Sequence, residues 1–233
     1  MKPTSPTASR ATPSLRQWMH ASLCDLDPES AILALGCEEA FHAPQLTEYA
    51  ASVTVLDTSG AQMGQLARRF PEISFGHHDP SSPLPFPNAS FEAIWCCDVL
   101  DRVFEPRLAL QELLRVLTPG GRLLVTVPGL GPVRHVLRAL FRREEPEAAT
   151  IPHVRDFTAR SLRKLARAAG FVDVQLRSTG GGPLSGREPH HLLLKARKGR
   201  IAPPVKLRRR GRGTGDALER VEEAMFVSRG RAA

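Results

Sequence analysis

The chain has 233 residues, 42% of them hydrophobic, a mean hydropathy of −0.21 and a formal net charge of +8. That length suits one α/β domain with additions and a sizeable core, and no apolar run approaches the ~20 residues of a membrane-spanning helix. The basic excess is local: residues 1–194 hold 20 basic and 20 acidic residues, whereas 195–212 hold nine basic residues and no acid.

Residues 1–16 are rich in Ser, Thr, Pro and Arg and lack the apolar core of a secretory signal. Residues 1–12 are expected to be disordered and residues 13–197 to form the domain. A helix over 13–24 would put Leu15, Trp18, Met19 and Leu23 on one side. Strand 31–35 follows, then a helix over 43–51 whose start Pro44 restricts, strand 53–57, and a helix over 60–69 with Met63, Leu66 and Ala67 inward. Strand 73–75 leads into a proline-rich loop over 79–90 and strand 91–96. A helix over 105–117 shows a stripe of Leu108, Leu110, Leu113, Leu114 and Leu117, stopped by Thr118-Pro-Gly-Gly121. Strand 122–127 and a basic amphipathic helix over 133–143 come next. Thr158 caps a helix over 159–169 that ends at Gly170, and strands 172–176 and 191–195 pair antiparallel around the Gly/Pro-rich loop 178–189. This alternation predicts a doubly wound, Rossmann-like α/β fold: a seven-stranded, mostly parallel sheet with a terminal antiparallel β-hairpin. Residues 198–233 form a basic tail with a short helix expected at 214–227.

Cys24, Cys37, Cys96 and Cys97 include no CxxC pair and no zinc-ligand spacing, which points to reduced, packed thiols in a cytoplasmic protein and to no metal centre. Two apolar runs carry the functional signal. Ala31-Ile-Leu-Ala-Leu-Gly36 ends in a glycine; Ser52-Val-Thr-Val-Leu-Asp57 ends in an acid 21 residues later. A nucleotide-binding crossover needs this spacing of strand, turn, helix and an acid at the next strand tip. The other reading of Asp57 is an N-cap for the helix at 60.

With these runs, His77-His78-Asp79-Pro80, Leu84-Pro85-Phe86-Pro87-Asn88-Ala89-Ser90-Phe91 and Cys96-Cys97-Asp98-Val99-Leu100-Asp101-Arg102-Val103 give residues 30–196 an order that resembles the class I S-adenosylmethionine-dependent methyltransferases. The resemblance is strongest to the compact group that includes quinone-biosynthesis enzymes. It implies S-adenosylmethionine as cofactor, with Gly36, Cys37, Asp57, Thr58, Asp79, Pro80, Ser81 and Cys97 as candidate cofactor-binding residues. Asp57 would accept hydrogen bonds from the ribose hydroxyls, Asp79 would face the adenine amino group, and Pro80 and Ser81 would lie along the ring edge. The turn Cys37-Glu38-Glu39-Ala40 departs from the family's glycine-rich pattern, and Arg102 stands where a histidine is usual.

The resemblance implies methyl transfer to a small-molecule acceptor held by residues 129–157, with Arg134, His135, Arg138 and His153 among the lining candidates and no catalytic residue assigned. Arginine in that lining favours an acidic or phosphorylated acceptor. Two alternatives stay open: a methyltransferase fold used for binding or regulation, and an RNA-associated methyltransferase whose basic run 195–212 grips phosphates or an acidic surface without reading sequence.

Overall fold

The structure, a computed structural model, describes residues 13–36, 43–58, 60–129, 155–179 and 191–200. Its elements are α1 (Pro13–Leu23), β1 (Ala31–Leu35), α2 (Ala43–Leu46), β2 (Ser52–Asp57), α3 (Gly60–Arg69), β3 (Ser74–His77), β4 (Phe91–Cys97), α4 (Pro106–Val116), β5 (Leu117–Pro128), α5 (Ala159–Ala169), β6 (Phe171–Ser178) and β7 (His191–Lys198). The seven strands form one sheet in the order β3-β2-β1-β4-β5-β7-β6. Pairing is parallel from β3 to β5, while β7 runs antiparallel to both β5 and β6. This is the predicted doubly wound sheet with its terminal hairpin. The tail helix at 214–227, the helix at 133–143 and the expected disorder of 1–12 fall outside the described residues.

Central strands are apolar along their whole length because both faces are covered. Successive residues then feed opposite cores. Leu33, Leu35, Ile94 and Cys96 join the core under α4 and α5. Ile32, Ala34, Trp95 and Cys97 join the core under α1, α2 and α3, where Trp18 tilts against Trp95 with ring centroids 5.8 Å apart. Cys96 and Cys97 therefore point away from each other, and burial pushes the Cys96 thiol well above its ordinary value.

Three expectations need correction. The helix over 43–51 is a single turn, Ala43–Leu46. Pro44 brings no N–H, and the Thr47 hydroxyl donates to the Pro44 carbonyl at 2.7 Å, drawing that acceptor away from a continuing helix. Strand β5 starts at Leu117 rather than at 122. Leu117 pairs with Phe91 before the register shifts, so Thr118–Gly121 forms a bulge inside the strand rather than a turn before it. Gly120 lies at φ +83°, and a Cβ on Gly121 would come within 2.8 Å of the Thr118 carbonyl oxygen. Finally, Leu108 is exposed on α4, although the spacing placed it on the inward stripe. Leu110, Leu113 and Val116 suffice to fill the buried face.

The 84–91 run is a latch. Leu84 is buried and Phe86 meets Phe91 edge-on, with centroids 4.9 Å apart. Arg115 on α4 donates to the Leu84 carbonyl (2.8 Å), the Phe86 carbonyl (2.7 Å) and the Asn88 side chain (3.1 Å), while Glu112 holds its guanidinium. At the same end of α4, the Lys198 ammonium donates to the Leu117 and Arg115 carbonyls and closes the helix C-terminus.

Candidate cofactor and acceptor site

A doubly wound sheet opens a crevice at the carboxyl ends of its strands, where strand order reverses. Here the reversal lies between β1 and β4, so residues just after those strands and after β2 and β3 define the site.

Gly36 ends β1 in the left-handed region at φ +83°. A Cβ there would stand 2.1 Å from the Cys97 carbonyl oxygen and 2.7 Å from Val99 Cγ2. Only glycine lets the two strand tips approach this closely. The Gly36 N–H donates to the Leu56 carbonyl at 3.1 Å and ties β1's end to β2's.

Asp57 closes β2, half-buried, in register with His77 on β3. Its carbonyl accepts from the His78 N–H at 2.9 Å, and its Oδ1 faces the Thr58 hydroxyl at 3.3 Å. An acceptor-only carboxylate next to a glycine-lined reversal point fits a nucleoside's paired hydroxyls. One strand further out, Asp79 is exposed and its Oδ1 accepts the Ser81 N–H at 2.9 Å, a local turn that also orders Pro80 and Ser81. His78, beside it, is buried, and burial lowers its basicity below the ordinary imidazole value.

Gly36, Asp57, Thr58 and the Asp79–Ser81 turn thus share one edge of the sheet. Cys97 shares it only through its backbone: its side chain is buried in the core under α1–α3, and its Sγ lies 3.1 Å from the Thr126 hydroxyl oxygen. Cys37 lies outside the described residues, as do Glu38–Ala40, Arg134, His135, Arg138 and His153.

Three further residues stand on the same edge, of which only Asp98 belongs to a family-like run and none was a candidate site residue. Asp98, directly after β4, has φ +47°. Its N–H donates to the Thr126 carbonyl at 3.1 Å, and its Oδ1 accepts from Thr126 Oγ1 at 3.1 Å. Its Oδ2 faces His191 Nε2 at 3.4 Å. His191 opens β7, which runs antiparallel to β5, so its first residue returns to the carboxyl edge opposite Pro128. No local pattern announces a contact across 93 positions; the acid after strand β4 was the available signal. Asp101, in the same family-like run, is buried, and its carbonyl receives the Arg155 N–H at 3.1 Å.

Residues 33–125 match the family model described as a methyltransferase domain. A probable S-adenosylmethionine-dependent methyltransferase of Mycolicibacterium smegmatis is 28% identical over 140 residues, covering 60% of this chain and 51% of its own. The demethylmenaquinone methyltransferase of Renibacterium salmoninarum is 35% identical over 146 residues, 56% of this chain and 61% of its own. The chain therefore spans about half to three-fifths of the length of these curated relatives. Among solved structures, the YcgJ protein of Bacillus subtilis superposes with a TM-score of 0.62 at 18% identity, covering 79% of this chain and 97% of that one, and shares the fold.

Proposed function

We propose that this chain is a class I S-adenosylmethionine-dependent methyltransferase, similar to the matched domain and relatives, that binds S-adenosylmethionine at the β1–β4 reversal point and transfers its methyl group to a small-molecule acceptor. The observation that carries the reading is Asp57 at the β2 tip, next to Leu56, whose carbonyl accepts the N–H of Gly36 in the left-handed turn after β1. Asp57 accepts the ribose hydroxyls, Gly36 keeps the β1 tip clear of side-chain bulk, and the Asp79–Ser81 turn borders the base. Cys97 contributes its carbonyl, not its thiol. The cofactor supplies an electrophilic methyl on a sulfonium; the protein's part is to bind, orient and exclude water.

Demethylmenaquinone methyltransferases among the relatives favour an aromatic, hydroxyl-bearing acceptor over the acidic one that arginine-rich composition suggests. The reduced thiols Cys24 and Cys96 suit a cytoplasmic setting, and no helix among the described residues is long and apolar enough to cross a membrane. The test is label transfer from S-adenosyl-[methyl-³H]methionine to a panel of phenols and naphthohydroquinones. Acceptor-dependent, extractable label supports the reading; none with any acceptor, from protein that binds the cofactor, contradicts it.

Weak binding of residues 195–212 to RNA or acidic surfaces is the companion proposal, resting on the nine basic residues there. Lys198 is already engaged with α4, which leaves the charge to its neighbours. Filter binding to RNA that weakens steeply with salt supports it, and binding indifferent to salt contradicts it.

A further inference from the structure

We propose that Asp98 is the acceptor-binding residue, holding the hydroxyl group of a phenol- or quinol-type acceptor, and that Thr126 and His191 are its positioning residues. The proposal deepens the methyl-transfer reading above and rests on it.

The backbone at Asp98 gives the first reason. A side-chain-bearing residue at φ +47° is in the left-handed region that few residues other than glycine, asparagine and aspartate adopt. The N–H, Oδ1 and Oδ2 of one residue are each fixed, by Thr126 O, Thr126 Oγ1 and His191 Nε2 respectively. Three elements, β4, β5 and β7, thus converge on one carboxylate.

Its position gives the second. The preceding carbonyl, that of Cys97, is the one against which Gly36 packs, so Asp98 stands one residue from the reversal-point crevice. Its side chain is 23% exposed, enough for a ligand to reach it and enough shielding to strengthen a hydrogen bond.

Chemistry names the ligand. A carboxylate offers about four lone-pair sites, and Thr126 and His191 occupy two. What remains can only accept, so it selects an O–H or N–H donor. Val99, Val127 and Phe157 on the neighbouring tips are apolar. An aromatic hydroxyl meets both conditions. Bound there, its oxygen is polarised and its ring oriented over the carboxyl edge.

The test uses the full chain saturated with S-adenosylhomocysteine, whose binding is measured first, and two probes under nitrogen: 1,4-dihydroxynaphthalene and 1,4-dimethoxynaphthalene, by equilibrium dialysis. The wild-type protein is expected to prefer the dihydroxy probe by about tenfold or more, the worth of a charge-assisted hydrogen bond. Asp98→Gly is expected to abolish the preference, and Asp98→Asn and His191→Gln to reduce it. Gly and Asn both tolerate φ +47°, so the fold is kept, as an unchanged affinity for S-adenosylhomocysteine reports. A wild-type protein without the preference, or an Asp98→Gly variant that keeps it, overturns the proposal. Failure of the wild type to bind S-adenosylhomocysteine at all is a different result: it removes the methyl-transfer reading and this proposal with it.

Discussion

At the scale of single residues, Gly36 and His78 are the positions where physics leaves least freedom. Gly36→Ala must place a Cβ 2.1 Å from a backbone oxygen while holding φ +83°. The expected cost is at least ~2 kcal/mol in urea-monitored unfolding, together with loss of cofactor affinity, because the β1 and β4 tips must part. His78 carries a different signature. Burial lowers its proton affinity in the folded state below the ordinary value of 6.5. As pH falls through that value the unfolded chain takes up a proton that the folded chain refuses, so stability falls as the pH drops from about 7 toward 5. Thermal melts across that range should show the decline in the wild type and a shallower one in His78→Leu; equal slopes would contradict the assignment.

At the scale of elements, the proline-rich run 84–91 shows how a family-like signature serves architecture rather than binding. Its backbone carbonyls are held by Arg115, and its two aromatic rings lock edge to face. Arg115→Ala removes donors from two loop carbonyls and frees Glu112, at an expected cost of about 2 kcal/mol. Limited proteolysis should then cut between residues 79 and 90, where the wild type resists. Unchanged resistance would mean that the loop is held by Leu84 and Phe86 alone. Element boundaries were legible in the sequence where one apolar period dominated, as in β1, β2 and α5. In α5 the Thr158 cap and left-handed Gly170 appear as the residue types predict. They were not legible at α2, where a threonine hydroxyl outcompetes the next helical turn, or in β5, where two glycines allow a bulge to be absorbed into the strand.

At the scale of the molecule, sequence periodicity was enough for the doubly wound sheet, because strands buried on both faces must be apolar throughout and crossovers must alternate with them. The proposed cofactor half of the edge was legible too, since Gly36 and Asp57 belong to one local crossover. The proposed acceptor half was not. Asp98 and His191 meet only because β7 enters antiparallel beside β5, a fact of topology that spacing does not encode. The same topology puts the Cys97 thiol in the core, so only the backbone of this candidate reaches the edge.

The central claim is that the carboxyl edge built by Gly36 and Asp57 binds S-adenosylmethionine. Isothermal titration of the full chain with that compound, beside an Asp57→Ala variant, tests it most directly. The account predicts micromolar binding in the wild type and a loss of about ten- to a hundredfold in the variant, the worth of charge-assisted bonds to the ribose, with both proteins melting alike. A folded wild type that takes up no heat at millimolar ligand, or a variant that binds as tightly as its parent, would contradict it.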